Sequence, residues 1–226
     1  MILRRVIEHF RKQEWTAIAI DFLIVVLGVF VGLQVNNWNA ARKDFERTQT
    51  LLDAFRVDLR DYEKVVETFT QRINEGIAAF DEALARGEKP APFYLRFKGS
   101  DTPPDSMWEA ALQSGLAELV SPDLAFEIGY LYSEQQGIGE RYVRYSLFVE
   151  NEILPRLSRH EEFYDEAGAL KPAFAQSMER LREWTEDNAV LVKSARCLQA
   201  RFDAPLKPGP SCRPDYGDFR IEGASP

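Results

Sequence analysis

The sequence predicts an all-α protein, in which a single amino-terminal transmembrane helix continues into an extracytoplasmic antiparallel helical bundle. An apolar run near the start is long enough to cross a bilayer, and apolar residues recur three and four positions apart through most of the remainder. The composition, 45% hydrophobic with a net charge of -8, is typical of a folded domain. The predicted divisions are a basic cytoplasmic stub at 1–15, a membrane helix at 16–35, a helical domain at 36–202 and an irregular tail at 203–226.

The predicted membrane helix, TAIAIDFLIVVLGVFVGLQV at 16–35, contains one charged residue, Asp21, and lies between Trp15 and Trp38. About twenty residues at roughly 1.5 Å each cover the hydrocarbon core of a bilayer, and tryptophans are enriched at its two interfaces. A cleaved signal peptide is the alternative, because a basic start precedes the apolar run. Cleavage requires a small residue where Trp38 or Asn39 would stand, which favours an uncleaved signal-anchor.

The orientation of this helix follows from the basic residues beside it. Those before the apolar run outnumber those soon after it: Arg4, Arg5, Arg11 and Lys12 against Arg42, Lys43 and Arg47. This difference predicts a single-pass protein of the bacterial inner membrane, with a cytoplasmic amino terminus and a periplasmic carboxy-terminal domain.

The two cysteines, Cys197 and Cys212, are a possible disulfide. A bond between them would close a loop of about fifteen residues and contribute roughly 3 kcal/mol in the chain-entropy model. Disulfides persist outside the cytoplasm, so a bond agrees with a periplasmic domain. Two unpaired thiols are the alternative.

The first part of the body predicts one long helix that ends near Gly87. Neither proline nor glycine occurs between Gly32 and Gly76, so we expect the membrane helix to continue into it. The spacing fits a coiled coil or a face packed within a bundle. The apolar positions are Phe45, Leu52, Phe55, Leu59, Tyr62, Val66, Phe69, Ile73, Ile77, Phe80 and Leu84.

A connection rich in proline and glycine follows at 87–105, and its apolar residues are expected to lie on the bundle: Phe93, Tyr94, Leu95 and Phe97. A short helix is then predicted from a capping box of Ser106 and Glu109 to a stop at Gly115.

The next predicted helix has Ser121 as its N-cap and Pro122 as its first residue, and we expect Pro155 to kink or end it. Gly137 and Gly139 lie within its pattern and indicate close packing. A last helix is predicted at about 172–202. The apolar positions of these two helices are Leu124, Ile128, Leu131, Ile138, Tyr142, Tyr145 and Val149, and then Phe174, Met178, Leu181, Leu191, Ala195, Leu198 and Phe202.

Two stretches resemble an uncharacterised bacterial family of single-span membrane proteins, a domain of unknown function. The pattern D-x6-G-x3-G before LQVNNWN is similar to that family's E-x6-G-x3-A-LQINNWNE, with Asp21 in place of Glu and Gly32 in place of Ala. The stretch WEAALQSGLAELVSPDL at 108–124 is similar to its W-E-x-L-x-S-G-x-L-x-L-x-x-x-x-L. The resemblance implies a single-pass protein with a helical outer domain, and it implies no activity.

One side of the membrane helix is a candidate association face. On an α-helix, Gly28 lies within about 20° of Asp21, and Gly32 and Asn36 within about 60°. Small residues four apart let membrane helices approach closely, and a carboxyl group in hydrocarbon costs roughly 2.5 to 3.5 kcal/mol unless it is protonated or partnered. We therefore predict that Asp21, Gly28, Gly32 and Asn36 meet another helix. The alternative is that Asp21 reaches the headgroups and has no specific role.

These features predict a membrane-anchored interaction or adaptor protein that associates through its membrane helix and its outer bundle. Its expected partners are the lipid bilayer and either further copies of itself or another membrane protein. In one alternative, Asp21 is an ion relay in a single-span subunit of an energy-transducing complex with a multi-span partner. In the other, the bundle is a ligand sensor whose pocket is lined by aromatic residues that otherwise belong to the core: Trp108, Tyr130, Tyr132, Tyr142, Tyr145 and Trp184.

Enzymatic and nucleic-acid roles find no support in the sequence. The run HEEFYDE offers His160, Glu161, Glu162 and Asp165, but it lacks H-E-x-x-H spacing and reads more simply as a solvated loop. No motif for a catalytic nucleophile, a phosphate loop or a dinucleotide occurs, so neither activity nor a cofactor is predicted. The acidic charge balance argues against binding to nucleic acid.

Overall fold

The computed structural model of the chain describes residues 15–96 and 106–213. Within these residues the regular structure is helical, apart from an isolated antiparallel bridge between Tyr164 and Leu170. The predicted all-α class is therefore confirmed. The α-helices are α1 (Trp15–Ala85), α2 (Ser106–Gln113), α3 (Leu116–Leu119), α4 (Pro122–Phe148) and α5 (Pro172–Arg201).

The chain divides into an amino-terminal unit, Met1–Arg47, and a carboxy-terminal unit, Thr48–Pro226. The apolar part of α1 in the first unit is long and apolar enough to cross a membrane, and none of its most apolar residues is buried. Phe22 is 71% exposed and Phe30 is 56% exposed. Such exposure of consecutive apolar side chains is expected of a segment whose solvent is lipid.

In the carboxy-terminal unit, one side of α1 carries the predicted apolar stripe. Tyr62 and Phe69 are partly buried on it, whereas Phe45 and Leu84 are exposed, so the prediction was wrong for these two. Phe45 belongs to the amino-terminal unit, and Ala83 is buried in place of Leu84 in the last turn. The buried positions are Leu52, Phe55, Leu59, Val66, Ile73, Ile77 and Phe80.

Helix α1 ends near Gly87, as predicted, and the structure shows that this glycine is left-handed. Gly87 has φ of 79°, which L residues with a side chain rarely adopt, and the N–H of Glu88 donates to the Ala83 carbonyl at 3.1 Å. The chain then lies on the bundle, where Leu95 is buried and its N–H donates to the Tyr145 hydroxyl at 3.1 Å. Phe93 and Tyr94 are partly buried there, as expected, and Phe97 lies outside the described residues.

The next segments begin and end close to the predicted positions. The predicted cap of α2 rests on the Ser106 side chain, which is outside the described part of the chain, whereas Gly115, with φ of 76°, separates α2 from α3 as expected. The Ser121 hydroxyl accepts from the Leu124 N–H at 3.2 Å, and Pro122 is the first residue of α4. This N-cap is confirmed.

Proline ends α4, as predicted. The α-helical geometry stops at Phe148 and gives way to a π-helical turn, Val149–Ile153, and a 3-10 turn, Leu154–Arg156, that contains Pro155. Proline lacks the N–H that an α-helix would use at this position. The predicted last helix corresponds to α5, which ends at Arg201.

Two apolar clusters join α1, α4 and α5. The first contains Leu52 to Leu59 of α1, Leu124 to Leu131 of α4 and Leu191 to Leu198 of α5, and the second contains Ile73 to Phe80, Tyr145 and Phe174 to Leu181. Helices α1 and α4 therefore run from the first cluster to the second, and α5 runs back. Trp184 packs against both clusters.

Close packing at α4 involves a different glycine from the one predicted. A Cβ atom added at Gly129 would lie 2.7 Å from Cζ2 of Trp108, whereas one at Gly137 would meet nothing within 4 Å. The interpretation of Gly137 as a packing glycine was therefore wrong. Periodicity places a residue on a helix but does not identify what lies opposite it.

We expect the two glycines to respond oppositely to alanine. Gly129→Ala should lower the free energy of unfolding by about 1–3 kcal/mol, because the rigid Trp108 ring must move. Gly137→Ala should raise it by roughly 0.5–1 kcal/mol, because alanine loses less conformational entropy within a helix. Urea unfolding of the full-length protein in detergent, followed by circular dichroism, measures both. A Gly129→Ala protein as stable as Gly137→Ala would contradict the packing described.

Candidate functional site

The predicted association face lies on the exposed surface of α1. Asp21, Gly28, Gly32 and Asn36 are all exposed, and a Cβ atom added at either glycine would meet nothing within 4 Å. Because all four residues belong to one uninterrupted α-helix, they share one side of it. The structure thus brings the four residues onto one face, and their association with another helix stays a prediction.

The chemistry of this face combines close approach with polarity. Between Asp21 and Asn36 the two glycines expose backbone, so a second helix packed there would contact main chain directly. The carboxyl group and the amide lie about 22 Å apart along the axis, at about 1.5 Å per residue, which places them at opposite ends of the glycine segment. A partner helix would therefore need polar groups near two different depths.

Cys197, on α5, and Cys212 form a disulfide, with their Cα atoms 5.5 Å apart. Cys212 is 5% exposed and packs against the first apolar cluster. The bond joins the irregular segment that follows α5 to the helix itself. The predicted tail therefore has no regular secondary structure up to residue 213, yet it is fixed in place.

Glu127 on α4 holds the same segment with a buried carboxylate. It accepts from the Ser211 hydroxyl and from the Cys212 N–H, each at 3.0 Å, and lies 3.5 Å from Nε of Arg213. Its side chain is only 3% exposed. Burying a carboxylate is unfavourable unless hydrogen bonds compensate for lost hydration, and here two donors and one cation do so.

Arg201 forms a second buried polar contact with this segment. Its side chain is 7% exposed, pairs with the Asp123 carboxylate and donates to the Pro210 carbonyl at 3.2 Å. In addition, the Ser121 N–H donates to the Pro205 carbonyl at 2.8 Å. We name the set of Asp123, Glu127, Arg201, Cys197 and Cys212 the carboxy-terminal clasp.

The sequence contained a signal for the clasp that the predictions did not use. Glu127 follows the buried Leu124 by three positions, and Arg201 follows the buried Leu198 by three, so both charges lie within apolar stripes. A charged residue at a core position requires a partner. The partners lie 78 residues or more away in sequence, and for this reason spacing alone did not identify them.

The acidic run around His160 forms ion pairs in the structure. His160–Phe163 is a 3-10 turn, and the Glu162 carboxylate pairs with Arg159 and lies 3.7 Å from Nε of Arg156. The Asp165 carboxylate accepts from the Ala169 N–H at 2.9 Å. In the part of the chain that the structure describes, no three His, Cys, Asp or Glu side chains are placed to hold a metal ion.

Of the six aromatic residues proposed for a pocket, Trp108 and Tyr132 pack in the core. Their rings stack with centroids 6.3 Å apart, and the Tyr132 hydroxyl donates to Oδ2 of Asp58 at 2.5 Å. Burial, followed by this carboxylate, raises the pKa of Tyr132 above its ordinary value, so the residue stays a neutral donor.

Of the other aromatic residues, Tyr145 is buried in the second apolar cluster, and Tyr130, Tyr142 and Trp184 are partly exposed. Tyr130 lies under the Arg213 guanidinium, with its centroid 5.5 Å from Cζ. Tyr142, Tyr145 and Trp184 line a cavity of about 300 Å³ between α4 and α5, which we name the α4–α5 cavity. Charged side chains also line it: Arg141, Arg144, Arg180, Glu183 and Asp187.

The clasp should contribute measurably to stability. Replacing both cysteines by serine removes a cross-link over 15 residues, and we expect the free energy of unfolding to fall by roughly 3 kcal/mol. Glu127→Gln keeps the size of the side chain but leaves a neutral acceptor between its donors, and it should cost about 1–3 kcal/mol. Urea unfolding under non-reducing conditions measures both changes.

A matched control for Glu127 is Glu118, which is exposed and makes no ion pair among the described residues. Glu118→Gln should change stability by less than about 0.5 kcal/mol. Equal effects of the two Glu→Gln changes would show that Glu127 is not holding the segment.

No family model, curated protein or solved structure matches the chain. Its role is therefore inferred from the residues described above.

Proposed function

We propose that this protein is a single-pass, membrane-anchored interaction module. Its membrane helix associates with a second copy, or with another membrane protein, through Asp21, Gly28, Gly32 and Asn36. The carboxy-terminal unit is the folded domain that this association brings together with a partner. The protein acts by binding and not by chemical catalysis.

The observation that carries this proposal is the exposed glycine face. Gly28 and Gly32 leave open space on the apolar segment of α1 at 16–35, whose one carboxyl group, Asp21, lies on the same side. Apolar side chains are stable in contact with lipid chains, whereas a carboxyl group in hydrocarbon needs a polar partner or a proton. Backbone exposed at glycines favours packing against another helix over packing against lipid chains.

The proposed location is the inner membrane of a bacterium, with the amino terminus in the cytoplasm and the carboxy-terminal unit in the periplasm. The excess of basic residues before the apolar segment supports this orientation. The disulfide between Cys197 and Cys212 supports an oxidising compartment for the carboxy-terminal unit.

Self-association should depend on the glycine face. Gly28→Ile and Gly32→Ile fill the open space with branched side chains, and we expect the pair to reduce dimerisation in a membrane reporter assay at least fivefold, about 1 kcal/mol. The matched control is Ala19→Ile with Val26→Ile, two changes about 140° to 160° away from Asp21 around the helix. The proposal fails if the two double variants associate equally.

The identity of the partner distinguishes the proposed association from the ion-relay alternative. We expect the full-length protein, purified in mild detergent from its native membrane, to be recovered as a homo-oligomer by mass spectrometry. Recovery of a stoichiometric multi-span partner would favour the relay instead. In that case Asp21→Asn, which removes the ionisable group, should abolish the activity of the complex without dispersing it.

Orientation is testable with reporters fused after residue 226. Alkaline phosphatase requires periplasmic disulfides, so we expect an active phosphatase fusion and a non-fluorescent fusion to a cytoplasm-dependent fluorescent protein. Replacing Arg4, Arg5, Arg11 and Lys12 by glutamine should lower the phosphatase activity, because the charge bias then favours the opposite orientation. A fluorescent fusion of the unaltered chain would reverse the proposed topology.

A further inference from the structure

The α4–α5 cavity has a rigid aromatic lining. The Tyr142 ring lies 5.7 Å from the Tyr145 ring and 6.3 Å from the Trp184 ring. Both tyrosine hydroxyls are engaged by the connection after α1: the Leu95 N–H donates to Tyr145 at 3.1 Å, and Tyr142 donates to the Leu95 carbonyl at 3.2 Å. Phe69 of α1 makes an edge contact with Trp184 at 6.4 Å. The rings are therefore held in place by Leu95 and Phe69, which do not line the cavity.

Trp184 leaves a donor unused. Its carbonyl accepts from the Asn188 side chain, but its indole N–H makes no hydrogen bond with any described residue. A partly buried tryptophan at the wall of a cavity thus offers both a flat apolar surface and one N–H.

Charged side chains of both signs line this cavity. Three arginines line a single cavity in a protein whose net charge is -8. Arg141 pairs with Asp187, a carboxyl group whose pKa is raised, chiefly by burial. Arg144 and Arg180 make no hydrogen bond or ion pair with any residue that the structure describes.

Most described arginines, by contrast, pair with a carboxylate. Arg182, two residues after Arg180 on α5, is within ion-pair distance of both Glu179 and Asp81. Glu183, which also lines the cavity, makes no ion pair among the described residues. The lining therefore contains two unpaired guanidinium groups, Arg144 and Arg180, against one unpaired carboxylate, Glu183, and its unpaired charge is positive.

We propose that the α4–α5 cavity binds a small organic anion with a flat aromatic body. Arg144 and Arg180 hold its anionic group, and Tyr142 and Trp184 contact its ring. The arginine fork matches the geometry of a carboxylate, and aromatic side chains favour offset or edge contacts with another ring. A volume of about 300 Å³ is at the lower end of the range for small-ligand sites.

This site goes beyond the proposed association through the membrane helix. All of its lining residues belong to the carboxy-terminal unit, and none belongs to the glycine face. Failure of ligand binding would leave the association assay unaffected, and the reverse also holds.

The test is isothermal titration calorimetry on the full-length protein in nanodiscs of zwitterionic lipid, with empty nanodiscs subtracted. The probes are naphthoate, its neutral counterpart naphthamide and inorganic phosphate. We expect naphthoate to bind at least tenfold more tightly than either of the others, because only it supplies both an anion and a ring. Equal binding of naphthamide would overturn the anionic class, and tighter binding of phosphate would overturn the aromatic one.

Variants of the lining residues test whether naphthoate binds in the α4–α5 cavity. Arg144→Gln with Arg180→Gln should weaken naphthoate binding at least tenfold, and Trp184→Phe, which keeps an aromatic ring, should weaken it less. The matched control is Arg72→Gln with Lys207→Gln, which removes the same charge from exposed residues outside the cavity. Undiminished binding by the cavity variant, equal loss in the control, or no binding by the unaltered protein would overturn the proposal.

Discussion

The apolar stripe on α1 is the surface against which the carboxy-terminal unit is built. Leu52, Phe55 and Leu59 contribute to one apolar cluster, and Ile73 and Phe80 contribute to the other. Full burial of side chains of this size is worth about 1.5–3 kcal/mol each. Helices α4 and α5 make their own contacts along their lengths, but both clusters include α1, so losing its alignment would open both together.

Polar contacts then determine the parts of the fold that apolar packing on α1 does not fix. Hydrophobic packing is non-directional, whereas the clasp carboxylate of Glu127 accepts from specific donors on the segment after α5, and Tyr142 and Tyr145 bind opposite backbone groups of Leu95. These contacts fix the segments after α1 and after α5 in one position on the bundle. Such contacts also hold the Tyr142 and Tyr145 rings that line the α4–α5 cavity.

Much of this architecture is encoded locally. The periodicity of apolar residues identified α1, α4 and α5, and Ser121, Pro122 and Gly87 marked their ends because caps and left-handed turns have short-range chemistry. Phe45 and Leu84 have the same spacing but are exposed, because spacing carries no information about what packs against a residue.

The candidate sites also differ in whether they depend on one helix or on several. The face of Asp21 and Gly28 was predictable because it depends only on the rotation of one helix. The clasp and the cavity depend on residues from different helices, such as Arg144 and Arg180, whose juxtaposition is a property of the tertiary fold. Sequence could reveal the charges within apolar stripes, but not the groups that would meet them.

The connection between α1 and the end of α5 also bears on synthesis. Arg56 pairs with Asp203, 147 residues later in the chain. At a translation rate of about 5–20 residues per second, the residues of α5 that pack on the α1 stripe are synthesised on the order of ten seconds or more after the stripe itself. During that interval the stripe is exposed apolar surface, which is prone to aggregate and to bind chaperones until α5 has been synthesised.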